Sequence, residues 1–537
     1  MRSIFGVAAA AAATLCVSVV SLTPRADAQT TTTTPVQHVV VIFGENISFD
    51  HYFATYPVAQ NPPGEPQFTA FPDTPAVNGL SGKLLTNNPN LNRANGADAA
   101  NPFRLDRSQA LTADQNHSYT PEQQSYDNLA MDLFPSKTGQ ANSIPGNYPP
   151  VMHTKGLVMG YFDGNTVTAL WNYAQRFAMN DNSYGSTFGP STPGALNLVA
   201  GQTNGIISSL NAPSSAQVAD GRGGFTLIGD GQPLGDICSS PTRFQAAMSG
   251  KNVGDLLNDR KISWGWFQGG FDLTATNSNG TTGCSRSTVS PVTGLTEPDY
   301  LPHHQPFQYY ATTKNPNHTR PTSVATIGKP GDAANHQYDS SDFFKAVAAG
   351  NMPAVSFLKA PSYQDGHAGY SNPLDEQAFI VNVVNAVEAS AFWDSTAVIV
   401  AYDDSDGWYD HQAAPILNGS FSPVDALTGP GACGQGSTPS LPGPDSKSQA
   451  VNGRCGPGVR MPLVVISPWA RHNYVDHTLT TQASVLLFIE QNWNLGKLGG
   501  GSFDATANPI DSLFDFSGAA PKNPAKLVLA PDTGLPK

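Results

Sequence analysis

Acidic and amide side chains follow two strongly apolar runs of the chain. Glu45 and Asn46 come shortly after the first run, and Asp403 and Asp404 come directly after the second. In open parallel sheets, ligands bind outside the carboxyl ends of the strands. The four side chains offer only oxygen donors, which suit a hard cation such as Ca²⁺ or Mg²⁺ better than zinc. The sequence therefore predicts one divalent metal ion of uncertain identity, with solvated turns as the alternative for either segment alone.

A hydroxyl group stands at a predicted helix start. The segment Gly189-Pro190-Ser191-Thr192-Pro193 precedes an Ala/Leu pattern, which places Ser191 or Thr192 at the helix N-terminus. Oriented backbone N–H groups and the helix dipole bind a phosphate-like anion there. A metal in contact with the same oxygen would make an alkoxide accessible near neutral pH. One of these residues is thus a candidate nucleophile, and a purely structural helix start is the alternative.

Histidines in polar loops form a third group of candidates. They are His117, His303, His304, His367 and His411. For any one of them, a surface or structural role is the simpler interpretation. If several converge on the carboxylates, they can neutralise phosphoryl oxygens, and one can protonate a leaving alkoxide, most effectively below neutral pH.

Three β-branched, apolar runs and the helical patterns between them predict the architecture that positions these residues. The runs are His38–Phe43, Thr396–Tyr402 and Met461–Ile466, and they resemble strands that are covered on both faces. Amphipathic helices are predicted over Asp375–Ser390 and Thr481–Trp493. This alternation predicts an α/β fold with a mainly parallel central sheet and helices on both faces.

Residues 205–329 differ in composition, being rich in Ser, Asn, Gly and Thr, with one strand-like piece at Ile262–Phe267. We expect a loop-rich insertion or cap over the site. Since no segment has the character of a long linker, residues 29–537 are predicted to form one large domain.

The N-terminus has the features of a secretory signal. An apolar stretch over Ile4–Leu22 is followed by Ala26-Asp27-Ala28, a small-residue cleavage motif. Residues 1–28 are therefore predicted to be a signal peptide, with a retained anchor as the alternative. We expect a secreted or periplasmic protein without a stable membrane anchor.

Four cysteines follow the predicted leader, and an even number in an exported chain favours two disulfides. Of the three connectivities, we favour Cys238–Cys284 and Cys433–Cys455, because each closes a loop rich in Gly, Pro, Ser and Asn.

The net charge of −13 has the wrong sign for electrostatic binding of nucleic acid, so no nucleic-acid partner is expected. The sequence leaves the oligomeric state open.

Four motifs in sequence resemble a known family. They are Val41-Ile42-Phe43-Gly44-Glu45-Asn46-Ile47-Ser48-Phe49-Asp50-His51-Tyr52-Phe53, Gly189-Pro190-Ser191, Asp365-Gly366-His367 and Tyr402-Asp403-Asp404-Ser405-Asp406-Gly407-Trp408-Tyr409-Asp410-His411. Together they resemble the bacterial phosphoesterase family of secreted acid phosphatases and non-specific phospholipases C, which is similar in its core to the alkaline phosphatase superfamily.

The resemblance implies a role for each candidate residue. It implies metal ligands at Glu45, Asn46, Asp403 and Asp404, and a nucleophile at Ser191 that also contacts the metal. It further implies phosphate-pocket residues at His117, His304, His367 and His411.

The resemblance also implies a secreted, metal-dependent acid phosphatase that hydrolyses phosphomonoesters through a phosphoserine. The Asp403-Asp404-Ser405-Asp406 segment and the chain end at Lys537 look closer to the acid phosphatase branch than to the phospholipases C. A phospholipase C or phosphodiesterase acting on phosphatidylcholine-type lipids is one alternative. A non-catalytic secreted metal- or carbohydrate-binding protein, using Trp264, Trp266 and Phe267, is another.

Overall fold

An eight-stranded sheet forms the centre of the structure, a computed structural model that describes Met1 and residues 31–143, 149–434, 451–521, 523 and 526–537. Its strands in chain order are β1 (His38–Gly44), β2 (Ala178–Asn180), β3 (Trp264–Gln268), β4 (Gln337–Asp339), β5 (Val355–Lys359), β6 (Thr396–Tyr402), β7 (Leu463–Ile466) and β8 (Tyr474–Asp476). The order across the sheet is β4-β3-β5-β1-β6-β7-β2-β8. All neighbouring pairs are parallel except β6–β7 and β7–β2, which confirms a mainly parallel α/β sheet.

The predicted apolar runs form the middle of this sheet. β1 lies between β5 and β6, and Val39, Val40 and Val41 are fully buried. A strand covered on both faces needs apolar residues at successive positions, which explains the continuous run. The third run forms β7, but β7 is antiparallel to β6, so its carboxyl end lies at the opposite edge of the sheet.

The α-helices in the described part of the chain include both predicted ones. They are α1 (Phe49–Phe53), α2 (Lys83–Thr86), α3 (Tyr119–Ser125), α4 (Phe134–Lys137), α5 (Thr168–Arg176), α6 (Ser191–Ala200), α7 (Val253–Asp259), α8 (Ser340–Ala348), α9 (Pro373–Ala389) and α10 (Gln482–Asn492). α9 begins after Asn372, whose side chain accepts hydrogen bonds from the first-turn N–H groups of Leu374 and Asp375. Helix α9 contacts both α5 and α8, whereas α6 contacts α7 and α10, so these helices form two groups.

Short strands outside the central sheet make small ribbons. One sheet joins Ile206–Leu210, Gln232–Pro233 and Gln245–Met248; the two-stranded pairs are Gln217–Ala219 with Phe225–Leu227, Ser287–Val289 with Thr296–Pro298, Phe103–Leu105 with Gly160–Phe162, and Ser183–Tyr184 with Thr480–Thr481.

The predicted insertion at residues 205–329 divides into two kinds of structure. Short ribbons occupy much of it, as expected for a loop-rich segment. However, β3 lies between β4 and β5 in the central sheet, so this part of the segment belongs to the core. Trp264, Trp266 and Phe267 are fully buried in β3, which removes the basis for a carbohydrate-binding face on these aromatic rings.

Both predicted disulfides, Cys238–Cys284 and Cys433–Cys455, are present. The predicted signal peptide lies outside the described residues apart from Met1. Across the segments that the structure describes, no helix is both long and apolar enough to cross a membrane.

Candidate active site

The carboxyl ends of β1 and β6 lie side by side in the middle of the sheet. Gly44, the last residue of β1, is paired in register with Tyr402, the last residue of β6. The next residues are also joined, because the backbone N–H groups of Asn46 and Asp404 donate to Asp403 Oδ1 at 3.0 and 2.8 Å. Asn46 has a φ of +60°, a left-handed conformation that Asn tolerates. The two acidic segments predicted from the sequence therefore meet in space.

Ser191 is the first residue of α6 and points into this group of acids. Its Oγ lies 2.9 Å from Glu45 Oε2, 3.2 Å from Asp404 Oδ2 and 3.4 Å from the Asn46 amide. A hydroxyl carries a single proton and donates to one of these acceptors at a time. The structure thus brings together all the residues that the sequence assigned to the metal: Glu45, Asn46, Ser191, Asp403 and Asp404.

The alternative candidates beside Ser191 and His304 make different contacts. Thr192 donates from its backbone N–H and from its hydroxyl to Asp230 Oδ1, each at 3.0 Å. His303 packs against His304, with the ring centroids 4.2 Å apart. Of the two hydroxyls at the start of α6, Ser191 is therefore the one that faces the carboxylates.

Burial makes the charges of this site costly. It raises the pKa of Glu45 well above its usual value, and the neighbouring charge of Asp403 raises it further. Burial raises the pKa of Asp404 in the same way. Lys359, at the end of β5, forms an ion pair with Glu45. Although burial disfavours the lysine charge, Asp403 and Glu45 together raise the pKa of Lys359. The acids thus lie in a dry site that favours additional positive charge.

The Asn46 side-chain amide lies between two carboxylate oxygens and a histidine nitrogen. One end of its amide is 2.6 Å from Glu45 Oε2 and 3.2 Å from Asp403 Oδ1, and the other end is 3.1 Å from His367 Nε2. With protein atoms alone, an amide nitrogen satisfies the two carboxylates best. With a cation among them, the amide oxygen would take that end and complete an oxygen donor set. The residues present therefore fit one divalent ion of the Ca²⁺ or Mg²⁺ type.

Three predicted histidines surround the same group. His117 Nε2 lies 3.4 Å from the Asn46 amide, and His304 Nδ1 lies 3.3 Å from Glu45 Oε1. The rings of His117 and His367 are 5.7 Å apart. His304 Nε2 is buried and has no hydrogen-bond partner among the described residues, so it is a polar atom that a ligand oxygen could satisfy.

The histidines differ in their tendency to carry a proton. Burial lowers the pKa of His304 well below its usual value and that of His367 to about 4. Burial also disfavours charge on His117, but Asp404 and Asp406 raise its pKa well above the usual value. His117 Nδ1 lies 3.2 Å from Asp406 Oδ1. His117 is therefore the histidine of this group best placed to be cationic.

A second group of candidate metal ligands adjoins the first. Its donor atoms lie within 4.8 Å of one another and belong to Asp114, His117, His367 and Asp406.

His411 lies in a different network. Its Nδ1 is 2.7 Å from Asp50 Oδ2, and its Nε2 is 3.2 Å from Asn78 Oδ1. Asp50 and Asp410 both accept hydrogen bonds from the buried guanidinium of Arg460. The ring nitrogens of His411 are thus held by Asp50 and Asn78, and its contact with phosphate stays a prediction.

Sequence reasoning missed three charged residues around the site. Lys359 ends β5, a strand too short to stand out as an apolar run. Asp365 belongs to the Asp-Gly-His motif and accepts hydrogen bonds from the Tyr370 hydroxyl and the His367 N–H. Asp406 belongs to the last motif. Asp365 and Asp406 lie within motifs that the sequence already offered, so their motifs were a signal for them, whereas nothing in the sequence marked Lys359.

A surface cavity borders the site at His117. A cavity of about 490 Å³ is lined by Ala113, Asp114, Gln115, Asn116, His117, Ser118, Gln140 and Ala141. Most of these side chains are polar or charged. This mouth offers hydrogen-bond partners and little apolar surface.

Several known proteins resemble this chain over most of its length. The chain is 24% identical to phospholipase C B of Mycobacterium tuberculosis, over 92% of this chain and 80% of that protein. It is also 24% identical to a non-hemolytic phospholipase C of Pseudomonas aeruginosa, over 86% of this chain and 54% of that protein. A solved alkaline phosphatase superfamily protein from Vibrio parahaemolyticus is 12% identical, covers 67% of each chain and has a TM-score of 0.29. The Phosphoesterase family profile matches residues 36–496. The chain belongs to the Phosphoesterase family and is a phosphoric ester hydrolase.

Proposed function

We propose that the protein is a metal-dependent acid phosphatase that hydrolyses phosphomonoesters through a covalent phosphoserine at Ser191. The observation that carries this proposal is the position of Ser191 Oγ at the start of α6, within 2.9 Å of Glu45 Oε2 and 3.2 Å of Asp404 Oδ2. A helix N-terminus favours the anionic phosphoryl group there. The family assignment makes the substrate a phosphoric ester.

The oxygen donors of Glu45, Asn46, Ser191, Asp403 and Asp404 would hold the metal. When bound, a divalent ion supplies positive charge that favours the ionised hydroxyl and the phosphoryl oxygens. The four cysteines of the described chain form two disulfides, so they offer no thiolate ligand to a metal.

Ser191 Oγ gives its proton to the carboxylate of Glu45 or Asp404, to which it donates a hydrogen bond. It attacks phosphorus in line with the leaving alkoxide, forming an O–P bond as the ester P–O bond breaks. The side chains of His117, His304 and His367 surround the transferred group and donate hydrogen bonds to its oxygens. His117, whose pKa the carboxylates of Asp404 and Asp406 raise, donates a proton to the departing oxygen. Water, which gives a proton to His117, then attacks the phosphorus of the phosphoserine. The Oγ–P bond breaks, Ser191 Oγ takes back the proton held by the carboxylate, and phosphate is released.

The polar mouth at His117 favours small, water-soluble monoesters over lipids. A phospholipase C must accommodate acyl chains beside the phosphate, and the residues that line this cavity offer few apolar side chains. The named relatives are phospholipases C, so hydrolysis of phosphatidylcholine is the second candidate. We also propose that the chain is exported after removal of residues 1–28.

Turnover of p-nitrophenyl phosphate and of phosphatidylcholine in mixed micelles, with the same purified protein, tests the substrate class. The acid phosphatase proposal predicts a kcat/KM at least about 100-fold higher for the monoester. A preference for phosphatidylcholine would support the phospholipase C alternative instead.

A further inference from the structure

Lys359 is a fully enclosed cation inside the candidate active site. Its side chain is 1% exposed, its ammonium forms an ion pair with Glu45, and it lies 3.4 Å from Asp403 Oδ2. The carbonyl of Gly44 is also 3.4 Å away, and the ammonium stands 5.1 Å from the centre of the Phe43 ring. Since these partners end β1 and follow β6, the charge is held by the rigid middle of the sheet.

Glu45 and Asp403 each direct one carboxylate oxygen to Lys359 and the other away from it, to Ser191 or Asn46. Glu45 directs Oε1 to the ammonium and Oε2 to Ser191 Oγ. Asp403 directs Oδ2 to the ammonium and Oδ1 to the backbone N–H of Asn46. The same pair of acids therefore has two cation positions, one on each side, and Lys359 occupies one of them.

The charges of this cluster balance with one divalent ion. Glu45, Asp403 and Asp404 contribute three negative charges when ionised, and Lys359 contributes one positive charge. His117 and Asp406 add one charge of each sign, which cancel as an ion pair, so the remainder equals the charge of a single Ca²⁺ or Mg²⁺. Asp365, a neighbouring acid, is not included in this count. It accepts hydrogen bonds from the Tyr370 hydroxyl at 3.0 Å and from the His367 N–H at 3.1 Å.

We propose that Lys359 acts as a built-in cation on the second side of Glu45 and Asp403, so that the site takes one divalent ion beside Ser191 rather than two. This inference rests on the proposed metal-dependent function for the role of that ion. Lys359 is in this view a positioning residue, since it acts on the metal ligands and not on the substrate.

Metal counting tests the proposal directly. The purified chain is stripped with EDTA and dialysed against Ca²⁺ or Mg²⁺ alone, and the bound metal is measured by elemental analysis and titration calorimetry. We expect one ion per chain for the natural protein and for Lys359→Arg, but two for Lys359→Ala, which vacates the second position. Lys345→Ala removes an exposed lysine that pairs with Asp342 and should leave the count at one. A Lys359→Ala protein that binds one ion with unchanged affinity overturns the proposal.

A second measurement serves if Lys359→Ala does not fold. Lys359→Met keeps the side-chain volume, and Glu45→Gln removes the paired charge, so the two changes define a double-mutant cycle of thermal unfolding in EDTA. We expect Lys359→Met to lower Tm much less when Glu45→Gln is already present. Additive effects would mean that Lys359 only fills space, and the proposal would fail.

The metal count and the phosphatase assay separate the two proposals. A natural protein that binds one ion, with two in Lys359→Ala, but hydrolyses no phosphate ester contradicts the proposed function alone. A natural protein that hydrolyses monoesters with two bound ions contradicts the role of Lys359 alone.

Discussion

The backbone carbonyl of Asp403 lies directly against Gly194, so that a Cβ atom on Gly194 would be 2.1 Å from that oxygen. Gly194 is in the first turn of α6, three residues after Ser191. The absence of a side chain therefore lets the start of α6 approach the end of β6. This close contact sets the position of the Ser191 hydroxyl beside Asp404.

Gly194→Ala should consequently damage both stability and catalysis. In an unconstrained helix the change would stabilise by about 1 kcal/mol, but here the new methyl group meets backbone, and we expect a loss of about 1–3 kcal/mol. Displacement of Ser191 should also lower kcat for p-nitrophenyl phosphate. Urea unfolding and steady-state kinetics measure the two effects. The neighbouring change Ala195→Gly should reduce stability and spare kcat. A Gly194→Ala protein that is more stable and fully active would contradict the packing argument.

His411 should contribute to stability and not to phosphate binding. Burial opposes its charge, but Asp50 and Asp410 raise the pKa of His411. A raised pKa in the folded protein gives stability that is complete below about pH 6.5, the unfolded value, and is lost as pH rises through the folded value. His411→Gln should therefore lower the free energy of unfolding by about 1–3 kcal/mol at acid pH and by less at alkaline pH. Its KM for p-nitrophenyl phosphate should stay within a few-fold. A large rise in KM with unchanged stability would contradict this prediction and support a contact between His411 and the phosphate.

Glu376 should make the protein less stable as pH rises. The hydroxyls of Tyr52 and Tyr402 each donate to its carboxyl group at 2.7 Å, and burial raises the pKa of Glu376 from 4.5 to about 7. As pH rises, Glu376 therefore ionises at a lower pH in the unfolded chain than in the folded protein. Its contribution to the free energy of unfolding is fully present below pH 4.5 and is lost progressively up to about pH 7. The contribution to the slope is at most about 1.4 kcal/mol per pH unit. Chemical unfolding across this range should show a flatter profile for Glu376→Gln, whereas an identical slope would exclude this role.

The sequence predicted the fold best where a fully buried strand requires apolar residues at every position. The runs that became β1 and β6 need apolar residues at every position because both faces are covered, and the acids after them are conspicuous for that reason. The prolines around the helix start indicated a hydroxyl at Ser191 or Thr192, and the family resemblance selected Ser191.

Other features depend on contacts that spacing does not encode. β5 has only five residues, Val355–Lys359, and includes a serine, so neither the strand nor its terminal lysine was evident. The apolar residues of β7 indicate a buried strand but not its direction, which is antiparallel to β6. His411 contacts Asp50 and Arg460, which lie far from it along the chain, so the Asp-His pair alone did not indicate these contacts.

Trapping the covalent intermediate tests the central role of Ser191 most directly. The protein is quenched in acid during turnover of p-nitrophenyl phosphate, and its peptides are analysed by mass spectrometry. We predict one phosphoryl group on the peptide that carries Ser191, none in Ser191→Ala, and a loss of turnover in that folded variant of about 10⁴-fold or more. A phosphoryl group on a different residue, or near-normal turnover by Ser191→Ala, would contradict the account.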